Sequence, residues 1–341
     1  MTNKSSFIRL VKNVVIFTSP VWILAILYFV FDPFHVLKPY DAYPDNYLKS
    51  YNRNRISTQI FLNNNQDEQY DSFILGNSKS SVFYTEEWAK YLDPKAKTYH
   101  FDASNEVISG IYGKIKFIDK QGNDIKNALL ILDPETFEYA VDTANSIIHI
   151  QDYEWSSLDK FSYQLIFFKA FFKNMYFIKY FDVKLFGKYR PYMYGAMENK
   201  HMLYTPVRND FIFQGYIDQI KEDSLGYYSR DLFYTRPDTS VSREPVIKPY
   251  QKVYLEEIKQ IFDKNHTDYK IVFGPNYDQK HINEVDLAYL KKLFGDEHVY
   301  DYTGINELTS DLKNYYEIFH YKPVVARKIL ADIYGKPIEK K

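Results

Sequence analysis

Between residues 13 and 31 the chain reads NVVIFTSPVWILAILYFVF, an apolar run with no charged residue. As an α-helix it would reach about 28 Å, which matches the hydrocarbon core of a bilayer. A second apolar stretch, LIFFKAFFKNMYFIKYF over residues 165–181, is interrupted by Lys169, Lys173 and Lys179 and is too costly to span. Past residue 69 the pattern changes to short apolar runs separated by segments of helical period. DSFILG, TYHFDAS, NALLILDPE, YKIVFG and HVYDYTG read as strands, and NALLIL is apolar from Ala128 to Leu132, as expected when both faces are covered.

Helical signals fall between these strands. Thr85 precedes EEWAKYL, with Glu86 and Glu87 suited to a first turn, and Ile111, Ile115 and Ile118 keep helical spacing in GIYGKIKFID. VYLEEIKQIFDK follows, then VDLAYLKKLFG, stopped by Gly295, and PVVARKILADIYG, with Pro323 at its start and Gly335 near its end. The alternation predicts an α/β domain with a five-stranded, doubly wound (flavodoxin-like) parallel sheet, whose sites lie beyond the carboxyl ends of the strands.

These signals divide the chain into a tail (1–12), a transmembrane helix (13–31), a tether (32–69) and a domain (70–341) carrying an aromatic-rich insertion at about 137–247. Lys4, Arg9 and Lys12 precede the apolar run, so the positive-inside rule places the amino terminus in the cytoplasm and the domain outside it. YFVFDPFHVL, where the run ends, lacks a small-x-small cleavage pattern, which favours an uncleaved anchor over a signal peptide. The expected location is the inner (cytoplasmic) membrane, as a single-pass protein.

Composition narrows the chemistry. Lys and Arg total 43 against 44 Asp and Glu, with no basic cluster to track a phosphate backbone, so nucleic acid is not an expected partner. The absence of cysteine excludes disulfides and thiolate metal sites. The eight histidines show no metal-ligand spacing, and no glycine pattern matches a Walker or dinucleotide motif, so neither metal nor cofactor is expected. With 34 Tyr and 26 Phe, aromatic rings can fill a core, stack on sugars or sit at a membrane interface. The aromatic stretch 161–186 has two readings: a helix covering the sheet, or an interfacial helix resting on lipid or on a membrane partner.

Ser78 lies just past the first strand in DSFILGNSKSSVFY, where such sheets place their sites. A serine nucleophile needs a base and an acid to orient that base, and YYEIFHYKP offers Glu317 and His320 ahead of the final helix. Asp133 and Glu135, two apart at a strand exit, raise glycoside hydrolysis, but the D-P pair reads better as structural turn chemistry.

GNSKS on the first strand and EIFH before the last helix, around this sheet, resemble the first and last blocks of the SGNH (GDSL-like) hydrolase superfamily. With the anchor and its FDPF exit, the chain is similar to the membrane-anchored members that partner membrane-bound O-acyltransferases, the alginate O-acetylation and teichoic acid D-alanyl-transfer proteins. The resemblance implies Ser78 as nucleophile, His320 as base and Glu317 in the place of the usual aspartate. It implies an oxyanion hole near the second block, FDASNEVISG, with Gly76, Asn77, Asn105 and Gly110 as candidates; the third block, LDPETF, lacks the family's asparagine. The implied activity is O-acyl transfer, with acetyl as the expected group, onto an extracytoplasmic polysaccharide of the cell envelope. A catalytically inactive adaptor that binds the glycan or the acyltransferase, and an anchored carbohydrate esterase, are the alternatives.

Overall fold

The computed structural model describes residues 2–41, 43, 52–138, 147–194, 197 and 202–338. In chain order, α1 (Thr2–Phe31) and α2 (Arg53–Glu68) precede β1 (Ser72–Gly76), α3 (Thr85–Trp88), β2 (Thr98–Asp102), α4 (Ile108–Lys120) and β3 (Asn127–Leu132). The insertion then supplies α5 (Lys160–Phe172), α6 (Tyr176–Phe186), β4 (Leu203–Tyr204), β5 (Phe211–Ile212), α7 (Gln214–Glu222) and α8 (Ser224–Tyr228). The chain closes with α9 (Pro249–Asn265), β6 (Asp268–Phe273), α10 (Glu284–Phe294), β7 (Val299–Asp301), α11 (Glu307–Ser310), β8 (Tyr315–Glu317), β9 (His320–Tyr321) and α12 (Pro323–Tyr334).

The main sheet is all parallel, in the order β2-β1-β3-β6-β7, so its five strands are the five read from the sequence. Side chains alternate across it. Phe73, Leu75, Phe101, Leu130 and Ile271 pack against α2, α4, α9 and α10 on one face. Ile74, Leu129, Ile131 and Val272 pack against Trp88 of α3 and Val325, Ile329 and Leu330 of α12 on the other. Burying each such large apolar side chain stabilises the fold by roughly 1.5–3 kcal/mol. Gly76 is fixed by close approach: a Cβ there would stand 2.4 Å from the carbonyl oxygen of Ile131 on β3.

α1 contains one candidate span, Ser6–Phe31, long and apolar enough to cross a membrane and largely uncovered by the rest of the chain. The helix starts at Thr2, so the described part of the expected tail (1–12) continues the helix of the span rather than standing apart from it.

The tether expected over 32–69 is corrected in its second half, because Arg53–Glu68 is a helix docked on the sheet. Its apolar signal is slight: only Ile56, Ile60 and Phe61 enter the core, and Arg53, Asn54, Arg55, Ser57, Thr58 and Gln59 are buried beside them. The two arginines and Ser57 find partners there. Arg53 grips Asp102 through Nη2 at 2.7 Å and Nε at 3.0 Å, Arg55 reaches Asp152 at 3.2 Å, and Ser57 donates to the Asp102 carbonyl.

The aromatic segment 161–186 departs from the sheet-covering reading. α5 and α6 form a separate cluster with the end of α1, joining Tyr163, Phe167, Phe171, Tyr176 and Tyr180 to Tyr28 and Phe34. The later part of the insertion does reach the sheet, where Phe211 and Phe213 enter the core on the α12 side.

Candidate active site

β1 runs into a 3₁₀ turn over Ser78–Val82, capped by Asn77, whose side-chain oxygen accepts from the Lys79 amide at 2.9 Å. This cap turns the chain sharply at the carboxyl edge of the sheet and leaves Ser78 as the first residue of the turn, partly open to solvent. The turn is anchored from inside: Ser80 Oγ donates to the Asn77 carbonyl at 2.7 Å.

Glu317 and His320 arrive on a small antiparallel hairpin, where they face each other across β8 and β9. Tyr227 and Tyr228 of α8 donate to the carbonyls of Tyr316 and Tyr315 on β8, so the insertion holds the hairpin in place. Pro323 begins α12 directly afterwards and ties it to the core.

The structure brings the three expected residues together. His320 Nε2 lies 2.8 Å from Ser78 Oγ, and His320 Nδ1 bonds Glu317 Oε1. A carboxylate only accepts, so Nδ1 carries the proton and Nε2 is left to accept from the serine hydroxyl. The other Glu317 oxygen accepts the Phe319 amide at 2.9 Å, fixing the carboxylate within its own turn. Phe213 places its ring 4.7 Å from the imidazole, walling one side of it. The geometry is the one that acyl chemistry on a serine requires of a nucleophile, a base and an orienting acid.

The oxyanion candidates separate. Asn77 is committed, capping the turn and donating to Asp133 Oδ2 at 2.8 Å. Gly76 serves strand packing, and Gly110 makes room for Glu106, whose Oε1 would stand 1.9 Å from a Cβ there. Asn105 is exposed, in left-handed backbone (φ 52°) on the loop after β2.

Asp133 and Glu135 meet one lysine instead of flanking a cleft. Lys79 Nζ lies 2.8 Å from Asp133 Oδ2, 2.5 Å from Glu135 Oε2 and 2.8 Å from Asn276 Oδ1. Asp133 also caps the 3₁₀ turn Pro134–Phe137, as the D-P pair suggested. Burial pulls the Lys79 ammonium down, but Asp133 and Glu135 outweigh it and hold its pKa above the ordinary lysine value. Burial opposes ionisation of Asp133, yet Lys79 holds its carboxyl below the usual range; Glu135 is pushed up by burial and by Asp133.

A second serine–histidine pair lies beneath the site and was missed in the sequence. Ser80 Oγ is 2.9 Å from His100 Nε2, and His100 Nδ1 is 3.5 Å from Asp210 Oδ1. It is wired differently. Ser80 spends its proton on the Asn77 carbonyl, so His100 must donate from Nε2, and a histidine in that tautomer cannot act as base toward Ser80. Ser80 and His100 are fully buried, and Asp210 is occupied by the Thr85 amide and hydroxyl, so the set braces the turn under Ser78. Serine at Ser80 is an unremarkable loop residue by sequence, and His100 lies inside a strand where only the three-dimensional pairing exposes its role.

Among the described residues, no group of three or more His, Asp or Glu side chains could hold a metal ion. No protein-family model, curated protein or solved structure matches the chain.

Proposed function

We propose that this chain is a membrane-anchored, SGNH-like serine O-acyltransferase that transfers an acyl group, acetyl by preference, onto an extracytoplasmic polysaccharide. The observation that carries the reading is the Ser78–His320–Glu317 relay at the carboxyl edge of a parallel sheet, on a chain with one candidate membrane span. Lys4, Arg9 and Lys12 before the span support a cytoplasmic amino terminus and an outward-facing domain. The donor would be presented by a membrane-bound O-acyltransferase.

In the first half-reaction Ser78 Oγ attacks the acyl carbon and passes its proton to His320 Nε2. The bond from the acyl carbon to the donor's leaving group breaks, and that group takes the proton as an acyl-serine ester forms. Ser78's own amide, at the head of the 3₁₀ turn, is the first oxyanion donor in this scheme. A sugar hydroxyl then loses its proton to His320 and attacks the ester; the acyl group moves to the sugar and the proton returns to Ser78. Water in place of the sugar gives the esterase reading.

The test is intact-protein mass spectrometry after incubation with an activated acetyl ester, with and without glycan. An acetyl adduct mapped to Ser78, discharged faster by glycan than by water, supports transfer. Discharge indifferent to glycan would make the protein an esterase. No adduct and no ester turnover by folded protein would leave an adaptor.

A further inference from the structure

The α5–α6 hairpin has apolar side chains on two opposite sides. On α6, Tyr176, Tyr180 and Val183 face inward, into the cluster with α5 and α1. Ile178 and Leu185 stand two and nine residues beyond Tyr176, roughly 200° and 180° around the helix. They are 46% and 75% exposed, and Met175 and Phe186 extend the exposed patch.

The hairpin sits at the mouth of the candidate span. Tyr28, in the last turn of α1, packs against Phe168 at 5.2 Å and Phe171 at 5.3 Å, and Phe31 meets Phe181 at 5.5 Å. Phe34, just past the helix, stacks on Tyr176 at 4.7 Å. The outer side of α6 is thus carried beside the end of α1.

Charge indicates what that is. Residues 160–190 hold Lys160, Lys169, Lys173, Lys179, Lys184, Lys188 and Arg190 against the single acid Asp182. Lys184 already lies over the Phe31 ring, 5.8 Å from its centre, at the level where the span ends. An apolar strip flanked by lysines beside a spanning helix has the make-up of an interfacial element: apolar side chains in the acyl boundary and ammonium groups among acidic headgroups.

We propose that the outer face of the α5–α6 hairpin is seated in the membrane surface, binding a bilayer that carries acidic headgroups. The domain is then held to the membrane at two adjoining points, the span and the hairpin. Two adjoining contacts restrict the tilt that a lone helix would allow.

The absence of cysteine makes the test direct, because one introduced cysteine takes one nitroxide label. The full-length variants Ile178→Cys, Leu185→Cys and Leu225→Cys would be labelled and reconstituted, without other proteins, into phosphatidylglycerol–phosphatidylcholine vesicles. Leu225, 89% exposed on α8, is the aqueous reference. Expected are labels at 178 and 185 that collide severalfold more with oxygen, and severalfold less with a water-soluble nickel chelate, than the label at 225. Collision rates equal to those at 225 would overturn the proposal and point to a protein partner or bare solvent. Equal immersion in pure phosphatidylcholine would overturn the assignment of the lysines to acidic headgroups.

Discussion

Glu317 and His320 are paired across the β8–β9 hairpin, so the carboxylate meets Nδ1 while Nε2 faces Ser78 Oγ at 2.8 Å. The hairpin explains how glutamate can stand where the resembling family has aspartate. Its longer side chain curls inside a tight turn, one oxygen on the imidazole and the other on the Phe319 amide.

In the proposed reaction Glu317 orients His320. Glu317→Ala should lower turnover of an activated acetyl ester by about two orders of magnitude less than loss of the serine does, following the pattern of serine-protease acids. Glu317→Gln should be worse than its size suggests, because the amide can donate toward Nδ1 and favour the wrong tautomer. Equal, full activity in both variants would remove Glu317 from the relay.

Ser78→Ala should abolish the acetyl adduct and cut ester turnover by roughly a thousandfold or more, with folding intact because the side chain is partly exposed. His320→Ala should match it, and the double variant should be scarcely worse, since the two groups act as one unit. Losses that multiply in the double variant would mean that the two residues act independently.

The sheet, its helices and the Glu317–His320 pair were legible because each rests on a local pattern. The strands are short apolar runs, and an acid three residues before a histidine makes one hairpin pair. α2 was not legible, since its burial depends on Arg53 finding Asp102 and Arg55 finding Asp152, partners 49 and 97 residues away. The aromatic segment 161–186 was ambiguous for a different reason. Its apolar residues run around the helices, and only the position of α1 shows which side is enclosed. Nor could spacing distinguish Ser78 from Ser80, because the difference lies in where each hydroxyl sends its proton.

The bracing set under the site should therefore behave structurally. Ser80→Ala removes the bond to the Asn77 carbonyl and the contact with His100, and should cost about 1–3 kcal/mol, mostly from the buried partners left unpaired. Residual protein should still form the Ser78 adduct. Retained stability with loss of the adduct would transfer the nucleophile's role to Ser80.

Lys79→Met should be among the most damaging substitutions near the site. It leaves Asp133 buried and uncompensated, at a cost of about 3–5 kcal/mol. Asp133→Asn in the same chain should recover part of the loss by removing the orphaned charge. Thermal unfolding of the detergent-solubilised full chain would measure this, and additive losses from the two substitutions would contradict the pairing.

The clamp between α2 and β2 predicts a pH dependence. Burial alone would raise the Asp102 carboxyl, but Arg53, His100 and Lys114 hold it below the ordinary carboxylate pKa. A folded pKa lower than the unfolded one means that the unfolded chain binds the proton more readily. The clamp's contribution is thus fully present above the unfolded value of about 3.9 and is lost as pH falls through the depressed folded value. At pH 7, Asp102→Asn should cost about 3–5 kcal/mol, because Arg53 stays charged and buried with carbonyl oxygens and aromatic rings around it but no carboxylate against it. In acid, wild-type Asp102 is itself protonated, and Arg53 is as poorly paired as in the variant. Urea midpoints followed by the fluorescence of buried Trp88 should accordingly lie far apart at pH 7 and converge as the pH drops below the ordinary carboxylate range. A gap that stays constant into acid would show that Asp102 is not ionised in the folded protein, and that the contact with Arg53 is not an ion pair.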